Sequence, residues 1–162
     1  MYILLIIRSK NVEYLVSASI LSADVAQLAN VAKKLKISGV DMLHFDVMDG
    51  VFVDNITFGA PVLESLKKHS DLFMDVHLMI IDPLKYIKQF SESGADLITF
   101  HFESESKIKE TIDEIRKYKK KVGISIKPNT PIEEIYPFLN DIDMVLIMTV
   151  EPGFGGQKYI EA

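Results

Sequence analysis

Short apolar runs rich in β-branched residues alternate with longer amphipathic stretches along most of the chain. The apolar runs predict six strands, over residues 16–21, 41–47, 72–79, 96–102, 122–126 and 143–149. The amphipathic stretches predict five helices, over about 24–37, 61–70, 83–94, 104–120 and 131–139. Such alternation is typical of a parallel sheet, either an open doubly wound sheet or a barrel.

Polar and proline residues predict where several helices begin. Ser22 is expected to cap the first helix, and Asp82 followed by Pro83 is a cap with proline at the first helical position. No linker or low-complexity segment interrupts the alternation, and 162 residues correspond to one domain.

The first seven residues form an apolar run, Met1–Ile7. This run is too short to span a bilayer, which takes about 20 residues. Arg8 and Lys10 follow it, whereas a secretory signal carries its positive charge before its apolar run. We therefore expect an extra strand or a frayed extension rather than a targeting leader, and no other stretch approaches membrane length.

Charge and cysteine content narrow the possible functions. The chain has 23 acidic and 18 basic residues, a net charge of −5, and no basic block that would attract nucleic acid or an anionic membrane. It has no cysteine, which excludes disulfides, thiolate nucleophiles and cysteine-bound zinc and is compatible with a reducing cytoplasm. An anionic substrate would therefore be held locally, by backbone amides or by a metal.

The ends of two predicted strands carry the clearest chemistry. Residues two apart on a strand share a face, so His44 and Asp46 point the same way, and His77 ends the next strand. α/β proteins place reactive groups at this end of their strands. Two imidazoles and a carboxylate from neighbouring strands favour a divalent-metal site over two ordinary core or loop histidines.

Other polar residues near these strand ends leave alternatives open. Asp75 either orients His77 or is a polar residue at the strand entry, and we favour the second interpretation. His101 and Glu103 share one face at the end of the fourth strand, where they either line a pocket or begin a polar loop. His69 is expected at the surface.

Three methionines, Met48, Met79 and Met148, also fall at predicted strand ends. They either fill gaps in the core or keep water from a reacting carbon without offering a competing proton.

The glycine-rich segment 151–157 follows the sixth strand, and the backbone N–H groups of such a turn can approach an anion closely. Its position predicts a loop that binds phosphate or covers a substrate.

Four segments together resemble the ribulose-phosphate 3-epimerase family. They are Ser19-Ile-Leu-Ser-Ala-Asp24, His44–Gly50 with Phe52-Val-Asp-Asn55, Asp75–Met79 and Met148–Gln157. They occur in the family's order and spacing. The resemblance implies an α/β fold of the (β/α)8 TIM-barrel type, truncated here after about the sixth strand. Residues 1–15 are then an atypical N-terminal extension, and residues 16–162 are a partial barrel with strands one to six.

The resemblance also implies an activity, the metal-dependent interconversion of D-ribulose 5-phosphate and D-xylulose 5-phosphate by proton transfer at C3 in the pentose phosphate pathway. It implies one divalent metal ion, with zinc or iron(II) ahead of manganese or cobalt. The expected partner is a small sugar phosphate, without nucleic acid or membrane, in a cytoplasmic homo-oligomer.

Site residues follow from the resemblance position by position. His44, Asp46 and His77 match metal ligands, and Asp46 also matches a catalytic acid–base residue. The expected substrate-binding residues are those that match the family together with the three strand-end methionines: Ser19, His77, Met48, Met79, Met148, Gly153, Phe154, Gly155 and Gly156.

The chain departs from the family pattern at a few points. The family takes a second acid, also its fourth metal ligand, from a Val-Asp-Gly-Gly segment after the seventh strand, and this sequence ends before that strand. Ala18 stands where the family usually has proline. Two alternatives therefore stay open: a catalytically inactive truncated member, or a sister epimerase that acts on a hexulose 6-phosphate such as allulose 6-phosphate.

Overall fold

A seven-stranded sheet with its strands in sequence order organises the fold of the computed structural model, which describes residues 2–6 and 13–160. The strands are β1 (Tyr2–Ile6), β2 (Glu13–Ser19), β3 (Met42–Met48), β4 (Phe73–Met79), β5 (Leu97–His101), β6 (Lys121–Ile126) and β7 (Met144–Ile147). The helices are α1 (Leu28–Ile37), α2 (Ala60–Lys67), α3 (Ile87–Glu92) and α4 (Ile108–Lys117), with 3-10 segments at Val25–Gln27, Pro83–Tyr86 and Ile132–Phe138.

Strands β2 to β7 run parallel, and a helical segment lies between each consecutive pair. Six parallel strands in this order form a curled half-barrel, which confirms the predicted partial (β/α)8 barrel.

Burial on both faces explains why the strands are so apolar. All seven residues of β3 are buried, because one face packs under helices and the other faces the barrel interior. Leu43 and Phe45 belong to the main hydrophobic core, whereas the alternate residues His44 and Asp46 project to the opposite face. The polar side chains of the site are therefore held by a strand whose other face is anchored in the core.

The stretch Tyr2–Ile6 forms an additional strand that pairs antiparallel with β2, with Tyr2 opposite Ser17 and Ile6 opposite Glu13. The rest of the apolar run Met1–Ile7, and Arg8 and Lys10 after it, lie outside the described residues. Among the residues that the structure describes, no helix has the length and apolar character needed to cross a bilayer.

The predicted helices differ from the structure at their ends or in type, as three of them show. Asp24 rather than Ser22 is the cap, and it caps the 3-10 segment Val25–Gln27 that precedes α1, because its carboxylate accepts the Ala26 N–H at 3.0 Å. The helix predicted from 104 begins at Ile108, after a turn whose Ser106 hydroxyl donates to Asp82. The segment predicted over 131–139 is a 3-10 helix, and Pro137 inside it removes a backbone donor.

Candidate metal centre and active site

The register between β3 and β4 brings the three predicted metal ligands together. Asp46 lies opposite His77, and His44 lies two residues earlier on the same face. His44 Nε2 is 3.3 Å from Asp46 Oδ1 and 3.3 Å from His77 Nδ1, while His77 Nδ1 is 3.4 Å from Asp46 Oδ1. All three residues are buried.

These three atoms form a nearly equilateral triangle whose size suits a divalent metal. Ligand atoms about 2.0–2.1 Å from a tetrahedral zinc ion are about 3.4 Å from one another. Two nitrogens and one carboxylate oxygen are also a donor set that zinc and related divalent ions accept. The group His44, Asp46 and His77 can therefore hold a metal ion.

Asp75 fixes the orientation of His44. One carboxylate oxygen, Oδ2, lies 2.7 Å from His44 Nδ1 and also accepts the Ser17 hydroxyl at 2.7 Å. This contact uses Nδ1 and leaves Nε2 on the triangle, an arrangement common behind metal-bound histidines. Both interpretations of Asp75 from the sequence are wrong, since the residue is fully buried and its partner is His44 rather than His77.

His77 has a different second partner, the imidazole of His101. The two Nε2 atoms are 2.9 Å apart, and His101 Nδ1 is 3.2 Å from Glu103 Oε2. His101 is completely buried, so it belongs to the site and does not begin a solvent-exposed loop. His69, by contrast, is exposed as expected.

The charge states of the site follow from burial and from neighbouring charges. Burial lowers the pKa of His44, but the carboxylates of Asp75 and Asp46 more than offset this and raise it well above its usual value. Burial opposes ionisation of Asp46, yet the charge on His44 and the close contacts of the carboxylate with both imidazoles hold its pKa far below the usual range. Burial, and further the charge on His44, lower the pKa of His77. At neutral pH Asp46 is therefore a carboxylate.

The charge states of His101 and Glu103, which lie beyond His77, also follow from their surroundings. Burial lowers the pKa of His101 to about 4, so this imidazole is neutral at pH 7. Burial opposes ionisation of Glu103, but hydrogen bonds from His101, Thr130 and the Lys127 N–H lower its pKa to about 2. The chain thus places a neutral imidazole between His77 and an ionised carboxylate.

Asp46 has one oxygen available for the triangle and one held by a neighbour. Its Oδ2 accepts the Ser19 hydroxyl at 2.7 Å, and its backbone carbonyl accepts the Thr57 hydroxyl at 2.7 Å. The carboxylate is therefore oriented from the neighbouring strand β2, and the loop after β3 holds the backbone of Asp46 in place.

A pocket opens directly over the triangle, at the C-terminal ends of the strands. The other predicted site residues in its lining are Met48, Met79, Met148, Gly153 and Phe154. Ser19, Gly155 and Gly156 line an adjoining depression instead. All of the predicted site residues thus lie at one end of the sheet, divided between two neighbouring cavities.

The glycine-rich loop is held over the pocket by a side chain from the loop after β3. Asn55 Nδ2 donates to the Gly153 carbonyl at 2.8 Å. Gly153 has a φ of 126°, a conformation that side-chain-bearing residues rarely adopt, and a Cβ there would also approach Val53. A residue other than glycine at this position would strain the backbone of the loop.

Sequence reasoning named three residues that support the ligands without giving them this role, since it misassigned Asp75 and left His101 and Glu103 open. For Asp75 the sequence did contain a signal, its two-residue spacing from His77. This spacing places both side chains on one strand face, in the same way as His44 and Asp46. Leu21 was also missed as a lining residue, although it lies inside one of the four segments that carry the family resemblance.

Fold and site together define a (β/α)8-type half-barrel with a candidate metal centre at the C-terminal ends of its strands. The sequence profile of the ribulose-phosphate 3 epimerase family matches residues 15–162. The chain belongs to the ribulose-phosphate 3-epimerase family.

Individual relatives agree with this assignment. The chain is 46% identical over 147 residues to the ribulose-phosphate 3-epimerase of Bacillus subtilis, covering 91% of this chain and 68% of the relative. It is 44% identical over 149 residues to the cytoplasmic isoform of ribulose-phosphate 3-epimerase from Oryza sativa, covering 90% of this chain and 65% of the relative. The chain thus spans about two thirds of the length of these curated relatives.

Structural similarity extends to a protein of much lower sequence identity. A Yersinia pestis DHPS, solved with a pterine-sulfa conjugate, matches with a TM-score of 0.59 at 15% identity, covering 91% of this chain and 61% of that protein. At this identity the match supports the fold alone.

Proposed function

We propose that this chain carries out metal-dependent proton transfer at C3, the chemistry that interconverts D-ribulose 5-phosphate and D-xylulose 5-phosphate. The observation that carries the proposal is the triangle of His44, Asp46 and His77 beneath a pocket at the strand ends. The names of the curated relatives favour the pentose phosphate over a hexulose 6-phosphate.

Asp46 is the residue we assign to proton removal. The C3 proton lies next to a ketone but is weakly acidic, so its transfer needs a positioned base and stabilisation of the negative charge that develops. A divalent ion held by the triangle would supply an electrophile for that charge. The low pKa of Asp46 keeps it ionised, and the Ser19 hydroxyl holds its carboxylate in place.

The pocket walls suit a sugar phosphate. Met48, Met79 and Met148 are buried around the triangle, where they exclude water and offer no exchangeable proton. We assign phosphate binding to the backbone N–H groups of Gly155 and Gly156, since these residues line the adjoining depression and the chain carries no basic block.

Zinc or iron(II) is the metal we propose, with manganese or cobalt as further candidates, because the donors are two imidazoles and one carboxylate. His77→Ala removes one donor and should lower metal affinity at least about tenfold while the fold remains intact. Metal content after gel filtration, measured by atomic emission against the exposed variant His69→Ala, tests this. Unchanged metal content in His77→Ala would contradict the ligand assignment.

We further propose that the chain works on this small-molecule substrate as a cytoplasmic homo-oligomer, without nucleic acid or membrane. One curated relative is named a cytoplasmic isoform, and the net charge of −5 disfavours polyanionic partners.

Deuterium exchange tests the proton transfer directly. Inversion at C3 also needs an acid on the opposite face, and we assign none among the described residues, so exchange is a more sensitive readout than conversion. In deuterium oxide, the metal-loaded chain should introduce deuterium at C3 of ribulose 5-phosphate, which NMR detects. Asp46→Asn should abolish the exchange, because the amide cannot accept the proton, and the exposed control Asp113→Asn should retain it. A folded, metal-loaded chain that shows neither exchange nor conversion would contradict the proposal.

A further inference from the structure

We propose that His101 and Glu103 are positioning residues that fix the tautomer and orientation of His77, so that its Nδ1 lone pair points into the triangle. This inference rests on the proposed function in one respect only, that the triangle binds a metal. The orientation of His77 is a property of the chain itself and can be measured without a metal.

The contacts form an unbroken series of hydrogen bonds from β4 through the end of β5 to the turn that follows it. His77 on β4 meets His101 on β5 through their Nε2 atoms at 2.9 Å, and His101 Nδ1 meets Glu103 Oε2 at 3.2 Å. The two rings lie 5.0 Å apart between centroids and are tilted by only 27°. His77 and His101 are both at least 99% buried, so solvent does not compete for these nitrogens.

Glu103 determines which nitrogen donates in each of these hydrogen bonds. Its other oxygen, Oε1, accepts the Lys127 N–H at 2.7 Å and the Thr130 hydroxyl, so the carboxylate is placed as an acceptor on both sides. His101 Nδ1 must then carry the hydrogen that Oε2 accepts. The 2.9 Å contact between the two Nε2 atoms needs one donor and one acceptor. His101, with its hydrogen on Nδ1, is the acceptor, so His77 donates from its own Nε2.

The consequence for the triangle is direct. A neutral imidazole carries one N–H and one lone pair, so His77 with hydrogen on Nε2 presents the lone pair of Nδ1. Nδ1 is the atom that lies 3.3 Å from His44 Nε2 and 3.4 Å from Asp46 Oδ1. The wrong tautomer would place a hydrogen where a metal must bind.

His44, the other histidine of the triangle, is oriented in the same way by a carboxylate. Asp75 accepts directly from His44 Nδ1, whereas Glu103 reaches His77 through the intervening ring of His101. Each imidazole of the triangle therefore has a carboxylate behind it. Partners of this kind typically change metal affinity by about 10- to 100-fold.

A purely structural role for His101 is the alternative, because its ring also packs against Phe52 at 4.8 Å between centroids. Two amide substitutions of His101 separate the two roles. His101→Gln extends an oxygen to about the place of Nε2, where it can accept from His77. His101→Asn places its amide near the position of Nδ1, within reach of Glu103 but not of His77.

The first measurement is zinc affinity, from competition with a chromophoric chelator, together with the visible absorption spectrum of the cobalt-loaded chain. We expect His101→Asn and Glu103→Gln to lower zinc affinity about 10- to 100-fold and to alter the cobalt spectrum. His101→Gln should recover most of the affinity, and the exposed control Glu105→Gln should match the parent chain. Equal effects of His101→Asn and His101→Gln on affinity and spectrum would overturn the positioning role.

The second measurement is the tautomer of His77 in the metal-free chain, from ¹⁵N-histidine NMR. The parent chain and His101→Gln should show hydrogen on Nε2, and His101→Asn should lose this preference. Hydrogen on Nδ1 of His77 in the folded parent would overturn the inference whatever the metal does. Hydrogen on Nε2 without any zinc binding would uphold the orientation of His77 and would count against the proposed function instead.

Discussion

At the scale of single residues, Glu103 links stability to pH. Its pKa in the folded chain is about 2, well below the usual range, because its hydrogen bonds outweigh the effect of burial. A carboxylate with a depressed folded-state pKa stabilises the fold above its unfolded pKa, and this contribution disappears as the pH falls through the folded pKa. Its stabilising effect is therefore complete at pH 7 and lost between about pH 5 and pH 2.

Glu103→Gln should reveal this effect as a difference between two denaturation curves. We expect the metal-free variant to be less stable than the parent by about 1–3 kcal/mol at pH 7, a range that allows for the partial exposure of the side chain. The difference should shrink toward zero as the pH falls from 5 to about 2, since glutamine does not titrate. Urea unfolding of both chains at several pH values measures it, and a constant difference would contradict the assignment.

The sequence predicted the residues of the triangle but could not predict their supports. His44, Asp46 and His77 were accessible because spacing along a strand fixes the face on which a side chain lies. The supporting contacts depend on which ring nitrogen meets which neighbour, and this is decided by strand register and side-chain rotamers. Asp75 and His101 were therefore misjudged or left open, although both lie on the correct face.

At the scale of elements, the contact between β5 and β6 depends on a glycine. Gly123 lies opposite Thr99 in the ladder, and a Cβ on Gly123 would overlap the Thr99 hydroxyl. Thr99 is fully buried, so its side chain would have to turn within the packed interior to make room. The absence of a side chain at this position allows the two strands to pair inside the curved sheet.

Gly123→Ala should therefore destabilise the chain by about 1–3 kcal/mol, the usual cost of overpacking a core. Thr99→Ala in the same chain removes the overlapping atoms and should restore part of the loss, which is a coupling that a double-mutant cycle detects. Thermal unfolding of the four chains measures it. Additive effects of the two substitutions would show that the overlap is not the cause.

Element type and order were more predictable than element boundaries. All six parallel strands lie where the apolar runs placed them, because burial on both faces requires continuous apolar sequence. Helix starts were less predictable, since Ser22 and Asp24 are both chemically able to cap and only the folded backbone selects Asp24. The 3-10 geometry around Pro137 likewise depends on local backbone packing that periodicity does not report.

At the scale of the whole molecule, the sheet formed by the described strands is open, with β1 and β7 at its two sides. β1 pairs antiparallel with the outer side of β2, so this side of the sheet is covered by an added strand. On the other side, β7 pairs with β6 alone among the described strands. The fold therefore presents backbone donors and acceptors along Met144–Ile147, and such an edge is a template for pairing with another chain.

The exposed edge predicts self-association of the 162-residue chain. Ile147 lies at the end of β7 and is 57% exposed, so an apolar side chain accompanies the open backbone groups. We expect the chain to form oligomers at micromolar concentration, and Ile147→Lys to shift it toward monomer, because a charged side chain on an edge strand opposes pairing. Ile37→Lys is the matched control, since Ile37 is 87% exposed but lies on α1, away from the edge. Sedimentation velocity over a range of concentrations distinguishes the three chains. A parent chain that stays monomeric, or an equal response to both lysine substitutions, would show that β7 is not the surface through which the chain associates.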